Sequence, residues 1–245
     1  MTVNGSPTVL LVHGSWHDGG SWSSVQEELA AAGVASLAPT LAGHGRNGGR
    51  DVRHDEYVGS VLEVLDAQPA PVTLVGHSFG GSVISRVAEL RPERCCSLVY
   101  YSAFVPRDGE SVADSLPQAF VDFLGQAAAT SSDDSCALPF ELFHGSLANT
   151  ADEPTARKIH SSLVPEPRRP IFEPLELPTF ESLDVPCAYI ACRDDQALPR
   201  GSFHPGQSSR LADPLLIEIE GDHEALFTAP ARLAEAIVEA VGASE

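Results

Sequence analysis

The sequence predicts an α/β fold, built as one mostly parallel sheet of about six strands with helices on both faces and an inserted cap. Three observations support this prediction. Short apolar runs alternate with helical patterns along most of the chain, and one run is followed directly by a glycine-rich turn that carries a serine. A stretch of about eighty residues without a strand pattern interrupts the alternation, and it is too long to be a connecting loop.

Each apolar run has the length of a strand buried in a sheet, so we predict a strand at each. The runs lie at residues 8–12, 34–37, 72–75, 97–101, 187–191 and 215–219. Apolar residues at helical spacing predict helices at residues 23–32, 55–67, 82–90 and 230–241. The last of these has Pro230 in its first turn, where proline is favoured.

Residues 103–184 form the interruption, and we predict that they make a cap on a core of residues 1–102 and 185–245. Leucine and phenylalanine recur at helical spacing within this segment. The residues concerned are Leu116, Phe120, Phe123 and Leu124, followed by Phe140 and Phe143. Because a cap must bury one face on the domain below it, we expect much of this apolar surface to pack and part of it to roof the site.

Composition limits the class of protein. The 245 residues suffice for one α/β domain with a modest insertion. Its 34 acidic and 15 basic residues give a formal charge of -19, which disfavours nucleic acid and anionic membranes as partners. The 5 cysteines form no CxxC pair, and no apolar run reaches the length of a secretory signal or a membrane span. We therefore expect a cytoplasmic protein.

The strongest motif is GHSFGG at residues 76–81, between an apolar β-branched run and a helical pattern. This context predicts a nucleophile elbow, a sharp turn that exposes Ser78 at the edge of the sheet. The flanking glycines suit such a turn because the backbone passes too close to its neighbours for β-carbons. The alternative is a glycine-rich turn with an incidental serine.

A serine nucleophile needs a base, and His223 is the favoured histidine. It follows the last predicted strand, so it should emerge at the same sheet edge as Ser78, in the chain order serine, acid, histidine. His77 shares the turn of Ser78, so we expect its side chain to point elsewhere and to pack or hydrogen-bond. His13 should brace its loop, and His144 is a further candidate for substrate contact. None of the 9 histidines has metal-ligand spacing, so no bound metal is expected.

The base needs a carboxylate to orient it, and Asp194 and Asp195 both follow the strand predicted at residues 187–191. We favour Asp195 over Asp194. Asp108 and Glu110, which follow the strand predicted at residues 97–101, are the alternative source of the acid.

Backbone N–H groups must stabilise the oxyanion formed during attack. One candidate is the N–H of Phe79, at the start of a helix, and the other is the N–H of Ser15, in the loop after the first strand. The simpler interpretation of residues 13–14 is a turn that ends the strand.

These motifs resemble the α/β-hydrolase superfamily, in particular its branch of small esterases and hydroxynitrile lyases, which includes plant methyl-ester hydrolases. The matching segments are HGSW at 13–16 with Trp22, GHSFGG at 76–81, FVP at 104–106, DGES at 108–111, Asp195 four residues before Pro199, and GDH at 221–223. The likeness fades between about residues 112 and 175. It implies the α/β-hydrolase fold, a triad of Ser78, His223 and Asp195, an oxyanion hole at Ser15 and Phe79, and no cofactor.

One departure from that branch bears on the reaction. Its hydroxynitrile lyases carry a lysine directly after the catalytic histidine, and this chain has Glu224. A negative charge there disfavours the release of cyanide, so cyanohydrin cleavage ranks low.

We therefore predict a serine hydrolase, a carboxylesterase or thioesterase, that cleaves an apolar, medium-sized ester through an acyl-enzyme on Ser78. Its partner is a small-molecule substrate, and a homodimer is kept as a candidate assembly. The predicted pocket residues are Trp16, His77, Phe104, Phe120, Phe123 and Phe143. The alternatives are a lyase or cyclase on the same fold and, less favoured, a ligand receptor.

Overall fold

The computed structural model describes residues 8–45, 48–199, 201 and 203–243. Its centre is a six-stranded sheet in which every neighbouring pair of strands is parallel. The strands are β1 (Val9–Val12), β2 (Ser36–Leu37), β3 (Val72–His77), β4 (Cys95–Tyr101), β7 (Cys187–Cys192) and β8 (Leu215–Ile219), in the spatial order β2-β1-β3-β4-β7-β8. The predicted fold class is confirmed.

Helices cover both faces of the sheet, because successive residues of a strand point to opposite sides. The helices of the sheet layer are α1 (Ser23–Ala31), α2 (His54–Asp66), α3 (Gly80–Leu90), α8 (Ala225–Thr228) and α9 (Pro230–Gly242). Leu10 and Val12 pack in one apolar cluster with α2 and α3, whereas Val9 and Leu11 pack in the other with α1 and α9.

The segment between β4 and β7 carries its own elements. They are α4 (Gln118–Thr130), β5 (Ser135–Cys136), α5 (Phe140–Leu142), a π-helical turn at Phe143–Leu147, α6 (Glu153–His160), β6 (Glu166–Pro167) and α7 (Arg169–Phe172). Strands β5 and β6 pair antiparallel as a separate two-stranded sheet. Leu124 and Phe143 of this segment share an apolar cluster with Leu74 and Phe79, so the segment packs on the face that carries α2 and α3. The division into a core and a cap stays a prediction.

Short 3-10 turns complete the chain at Gly19–Trp22, Pro92–Arg94, Val112–Ser115, Phe180–Ser182 and Ser208–Arg210. The predicted boundaries differ from the observed ones by at most a few residues. The strand predicted at residues 72–75 extends to His77, and the helix predicted to begin at residue 82 begins at Gly80. The elbow is therefore tighter than expected, with only Ser78 and Phe79 between strand and helix.

Candidate active site

The turn between β3 and α3 has the backbone of a nucleophile elbow. Ser78 has a φ of 52°, in the left-handed region that non-glycine residues rarely adopt. A Cβ on Gly76 would lie 2.6 Å from the carbonyl oxygen of Gly80, and one on Gly80 would lie 2.6 Å from that of Val12. Both positions therefore require glycine, and the serine is held in a strained conformation typical of functional sites.

The loops after β7 and β8 bring a carboxylate and an imidazole together. The Nδ1 of His223 lies 2.8 Å from the Oδ2 of Asp195, and both side chains are buried. Because Nδ1 donates to the carboxylate, the opposite nitrogen, Nε2, is left to accept a proton. His223 and Ser78 both line one cavity.

The carboxylate of Asp195 is fixed from its other side as well. Its Oδ1 accepts hydrogen bonds from the backbone N–H groups of Ala197 and Leu198, at 2.9 and 2.8 Å. The neighbouring Asp194 is exposed, and its Oδ2 instead accepts from the N–H of Gly221 at 3.3 Å. Of the two aspartates, the structure brings Asp195 to the histidine.

The pKa values in this pair favour a charged acid beside a strong base. Burial lowers the pKa of the His223 imidazole, but the charge of Asp195 and its hydrogen bond outweigh burial, and the pKa is raised. For Asp195, burial raises the carboxyl pKa, but His223 and the hydrogen bonds outweigh it, and the pKa is lowered. Asp195 therefore stays ionised and stabilises the imidazolium.

The alternative acids lie elsewhere. Asp108 accepts the backbone N–H of Leu177 at 2.7 Å, and Glu110 pairs with Arg210 at 2.8 Å. Both carboxylates therefore tie loops together, and neither contacts His223.

Three other histidines hold backbone in place. His77 donates from Nε2 to the carbonyl of His223 at 3.0 Å, and its ring stacks on Tyr101. His13 Nδ1 donates to the carbonyl of Gly14 at 2.9 Å while its Nε2 accepts from Leu41 at 3.0 Å, so it braces its loop. His144 bonds the carbonyl of Ala151 at 3.0 Å and does not line the cavity, so the interpretation of His144 as a substrate contact is corrected.

The two expected oxyanion donors lie at the same cavity. Phe79 directly precedes α3, an 11-residue helix whose positive N-terminal end favours negative charge. Ser15 lies in the loop after β1. Ser15, Phe79 and Ser78 all line the cavity.

The cavity has a volume of about 210 Å³ and is mainly apolar. Of the residues predicted to contact substrate, it is lined by Trp16, His77, Phe104 and Phe120. Among the described residues that line it, none is an arginine or a lysine. The cavity therefore suits an uncharged, apolar group.

Phe123 and Phe143 do not line this cavity, so the prediction that they contact substrate is corrected. Phe123 stacks on the ring of Phe120, with centroids 5.7 Å apart. Phe143 is fully buried and packs against His160, with centroids 5.5 Å apart. Helical spacing identifies residues that share a face, but it does not indicate which of them reach an opening.

A second histidine–carboxylate pair lies at the cavity and was not predicted from the sequence. His17 lines the cavity, and His17 Nε2 lies 3.1 Å from Glu224 Oε2, both side chains being buried. Ser146 and Gln196, which add polar groups to the lining, were not predicted either. Glu224 itself was the signal in the sequence that could have indicated this pair. A carboxylate directly beside the catalytic base needs a partner when it is buried.

Comparisons with known proteins identify the family of the chain. A sequence model of the Alpha/beta hydrolase family matches residues 9–236. The chain belongs to the alpha/beta hydrolase family. A solved structure, described as an extracellular alpha/beta-hydrolase from a Paenibacillus species with structural and functional homology to tobacco salicylic acid binding protein 2, is 38% identical. It superposes with a TM-score of 0.92, over 96% of this chain and 98% of that one.

Curated relatives include a bacterial esterase and a tobacco protein. The carbendazim hydrolyzing esterase of Nocardioides sp. is 37% identical over 148 residues, which are 55% of this chain and 61% of that esterase. Salicylic acid-binding protein 2 of Nicotiana tabacum is 27% identical, over 94% of this chain and 95% of the relative. The predicted resemblance and the prediction of a hydrolase are thereby confirmed.

Proposed function

We propose that the protein is a serine carboxylesterase that uses Ser78, His223 and Asp195. The observation that carries the proposal is the buried 2.8 Å contact between His223 and Asp195 at the cavity that exposes Ser78. The hydrolases and esterases among the relatives support the same reaction.

The residues divide the reaction into two half-reactions. The Ser78 Oγ attacks the ester carbonyl as His223 Nε2 takes its proton, and the N–H groups of Ser15 and Phe79 stabilise the oxyanion. Collapse of the tetrahedral intermediate breaks the C–O bond, and His223 returns the proton to the departing alcohol. Water then attacks the acyl-enzyme by the same steps and releases the acid and free Ser78.

The cavity supports a small, uncharged substrate with one aromatic ring. A volume of roughly 150 Å³ holds benzene, so about 210 Å³ leaves room for one ring with short substituents. Trp16, Phe104 and Phe120 supply flat apolar surface for such a ring. The tobacco relative carries salicylic acid, a single-ring acid, in its name.

Ser78→Ala tests the covalent mechanism. The substitution should lower kcat on aryl acetate esters by about 10⁴-fold or more, because no nucleophile remains. A serine-directed phosphonate should add its mass at Ser78 of the natural protein and should fail to label the variant. Near-normal turnover by Ser78→Ala would remove the acyl-enzyme from the account.

The kinetics separate an esterase from a lyase or cyclase. Both would be labelled by the phosphonate if Ser78 is activated, but only the esterase should give a burst of alcohol from a chromogenic acetate. Labelling without turnover of any ester in a panel of acetates and benzoates would favour the lyase or cyclase.

Location and assembly are also proposals. All 5 cysteines are free, which supports an intracellular site, although the Paenibacillus relative is described as extracellular. Among the described residues, no helix has both the length and the apolar character to cross a membrane. Assay of medium and cell lysate would test the location, and sedimentation would test a homodimer.

A further inference from the structure

The loop that supplies one oxyanion donor contains a strained residue. Trp16 has a φ of 63°, a left-handed conformation that is unfavourable for a bulky side chain. Such a conformation persists only where the surroundings hold it. The contacts around residues 15–17 should therefore show what holds it.

One set of contacts comes from the segment between β4 and β7. The N–H of Trp16 donates to the Oε2 of Glu166 at 2.9 Å, and its indole Nε1 donates to the carbonyl of Cys136 at 2.8 Å. Glu166 is fully buried, and its carboxylate also contacts His44 at 2.8 Å and the hydroxyl of Tyr57 at 3.2 Å.

The second set comes from the loop of the proposed base. The carbonyl of Ser15 accepts a hydrogen bond from His17 Nδ1 at 2.7 Å. The opposite ring nitrogen of His17 lies 3.1 Å from Glu224, and the ring packs between His77 and Phe227. Burial lowers the pKa of the His17 imidazole, but the negative charge of Glu224 outweighs burial, and the pKa is raised.

The carbonyl of Ser15 and the N–H of Trp16 belong to one peptide group. That group is held at both ends by buried carboxylates, at the N–H by Glu166 and at the carbonyl by Glu224 through His17. The Ser15 N–H belongs to the preceding Gly14–Ser15 peptide, whose carbonyl accepts a hydrogen bond from His13 Nδ1 at 2.9 Å. This donor therefore lies between two peptide groups that are both held by hydrogen bonds. Preorganised donors of this kind stabilise a transition state without reorganisation.

We propose that Glu166 and the His17–Glu224 pair are positioning residues that aim the Ser15 N–H at the oxyanion. The inference rests on the proposed function, because it assigns what orients that donor. Neither Glu166 nor Glu224 lines the cavity, so each would act through the Ser15–Trp16 peptide.

Glu166→Gln tests one end of the peptide, with Tyr57→Phe as the matched control. The control removes a different hydrogen bond to the same carboxylate, so it should perturb the buried cluster and leave the loop in place. We expect Glu166→Gln to lower kcat on an aryl acetate about 10-fold with KM nearly unchanged, since displacing one donor should cost less than the 10²- to 10³-fold of deleting it. Tyr57→Phe should keep kcat within about twofold.

His17 is tested in a pair of double variants, so that no lone carboxylate is left buried. In His17→Asn/Glu224→Gln the asparagine amide can still donate to the Ser15 carbonyl from the place of Nδ1. In His17→Leu/Glu224→Gln, the side chain at position 17 has no group that can donate to this carbonyl. We expect the asparagine variant to retain about 10-fold more kcat than the leucine variant at similar melting temperature.

Affinity for a trifluoromethyl ketone separates positioning from general loss of structure. The trifluoromethyl ketone forms a stable covalent adduct with Ser78, and this adduct carries an oxyanion. The matching methyl ketone does not form a stable adduct. Affinity for the trifluoromethyl ketone should fall in proportion to kcat in the impaired variants, and affinity for the methyl ketone should not. Equal effects on both ketones, or equal kcat in the two double variants, would overturn the inference.

Measurements on the unsubstituted protein distinguish a failure of this inference from a failure of the proposed function. Phosphonate labelling and ester turnover that depend on Ser78 establish the function, whatever the positioning variants do. If Ser78→Ala keeps its activity, the function itself fails and the positioning role fails with it.

Discussion

Two adjacent aspartates at the end of β7 differ in what their carboxylates contact. Asp195 is buried against His223, whereas Asp194 is exposed and accepts only the N–H of Gly221 among the hydrogen bonds its carboxylate makes with described residues. Chemically identical side chains, one residue apart, are therefore expected to have unequal effects on catalysis.

Asp195→Asn should lower kcat by about 10³- to 10⁴-fold, because the amide leaves the imidazolium without a counter-charge and can impose the wrong tautomer. Asp194→Asn is the matched control and should change kcat by less than about threefold. Steady-state assays on an aryl acetate compare them. If Asp194→Asn lowers kcat more than Asp195→Asn does, the catalytic acid has been assigned to the wrong aspartate.

The pH profile should show the raised pKa of His223. Only the neutral imidazole can accept the proton of Ser78, so kcat/KM should rise with pH through a midpoint above the usual value of 6.5. The charged groups that face this ring are Asp195, Glu224 and Asp222, which raise its pKa. Charge repulsion between His17 and His223 acts in the opposite direction. Asp195→Asn should lower the midpoint, and a midpoint that stays in place would contradict this origin.

Among elements, the turn from β3 to α3 tolerates no side chain at its glycines. Gly76→Ala should destabilise the fold by about 3 kcal/mol, because the added Cβ meets backbone atoms of Gly80 and Gly81 within 2.8 Å. The control is Gly59→Ala, on the exposed side of α2 with nothing within 4 Å of its Cβ. Urea unfolding should show the control gaining about 0.5 to 1 kcal/mol, since alanine favours a helix.

The sequence predicted the elements that local patterns determine. Apolar runs predict where the strands lie. Because the carboxyl ends of parallel strands lie at one edge of the sheet, Asp195 and His223 could be predicted to lie close together. Glu166 could not be predicted, because its contact with Trp16 joins residues 150 positions apart and depends on how the inserted segment sits. The same limit explains the wrong prediction for Phe143. Its helical spacing is that expected of a pocket residue, but its ring is buried away from the cavity.

Across the whole molecule, the segment between β4 and β7 and the sheet layer share one apolar cluster, which contains Trp16, Leu124 and Phe143 together with residues of β3. The segment should therefore unfold together with the sheet. The other tryptophan, Trp22, lies in the cluster on the opposite face.

Trp22→Phe makes this testable, because Trp16 then remains as the one tryptophan of the chain's 2. Trp16 contacts the inserted segment through Cys136, so its fluorescence reports that interface. Urea curves from this fluorescence and from far-UV circular dichroism should coincide. An earlier fluorescence transition would mean that the segment separates before the sheet unfolds.

The parallel sheet has one more consequence. The inserted segment leaves after β4 and returns at β7, which are neighbours in the sheet, so evolution could exchange it for another without moving either loop that carries the acid and the base. Any replacement, however, must bring a new acceptor for the Trp16 amide. Chimaeras that take the segment between β4 and β7 from a related protein should therefore change in substrate preference, and they should keep the catalytic rate only when the new segment supplies that acceptor.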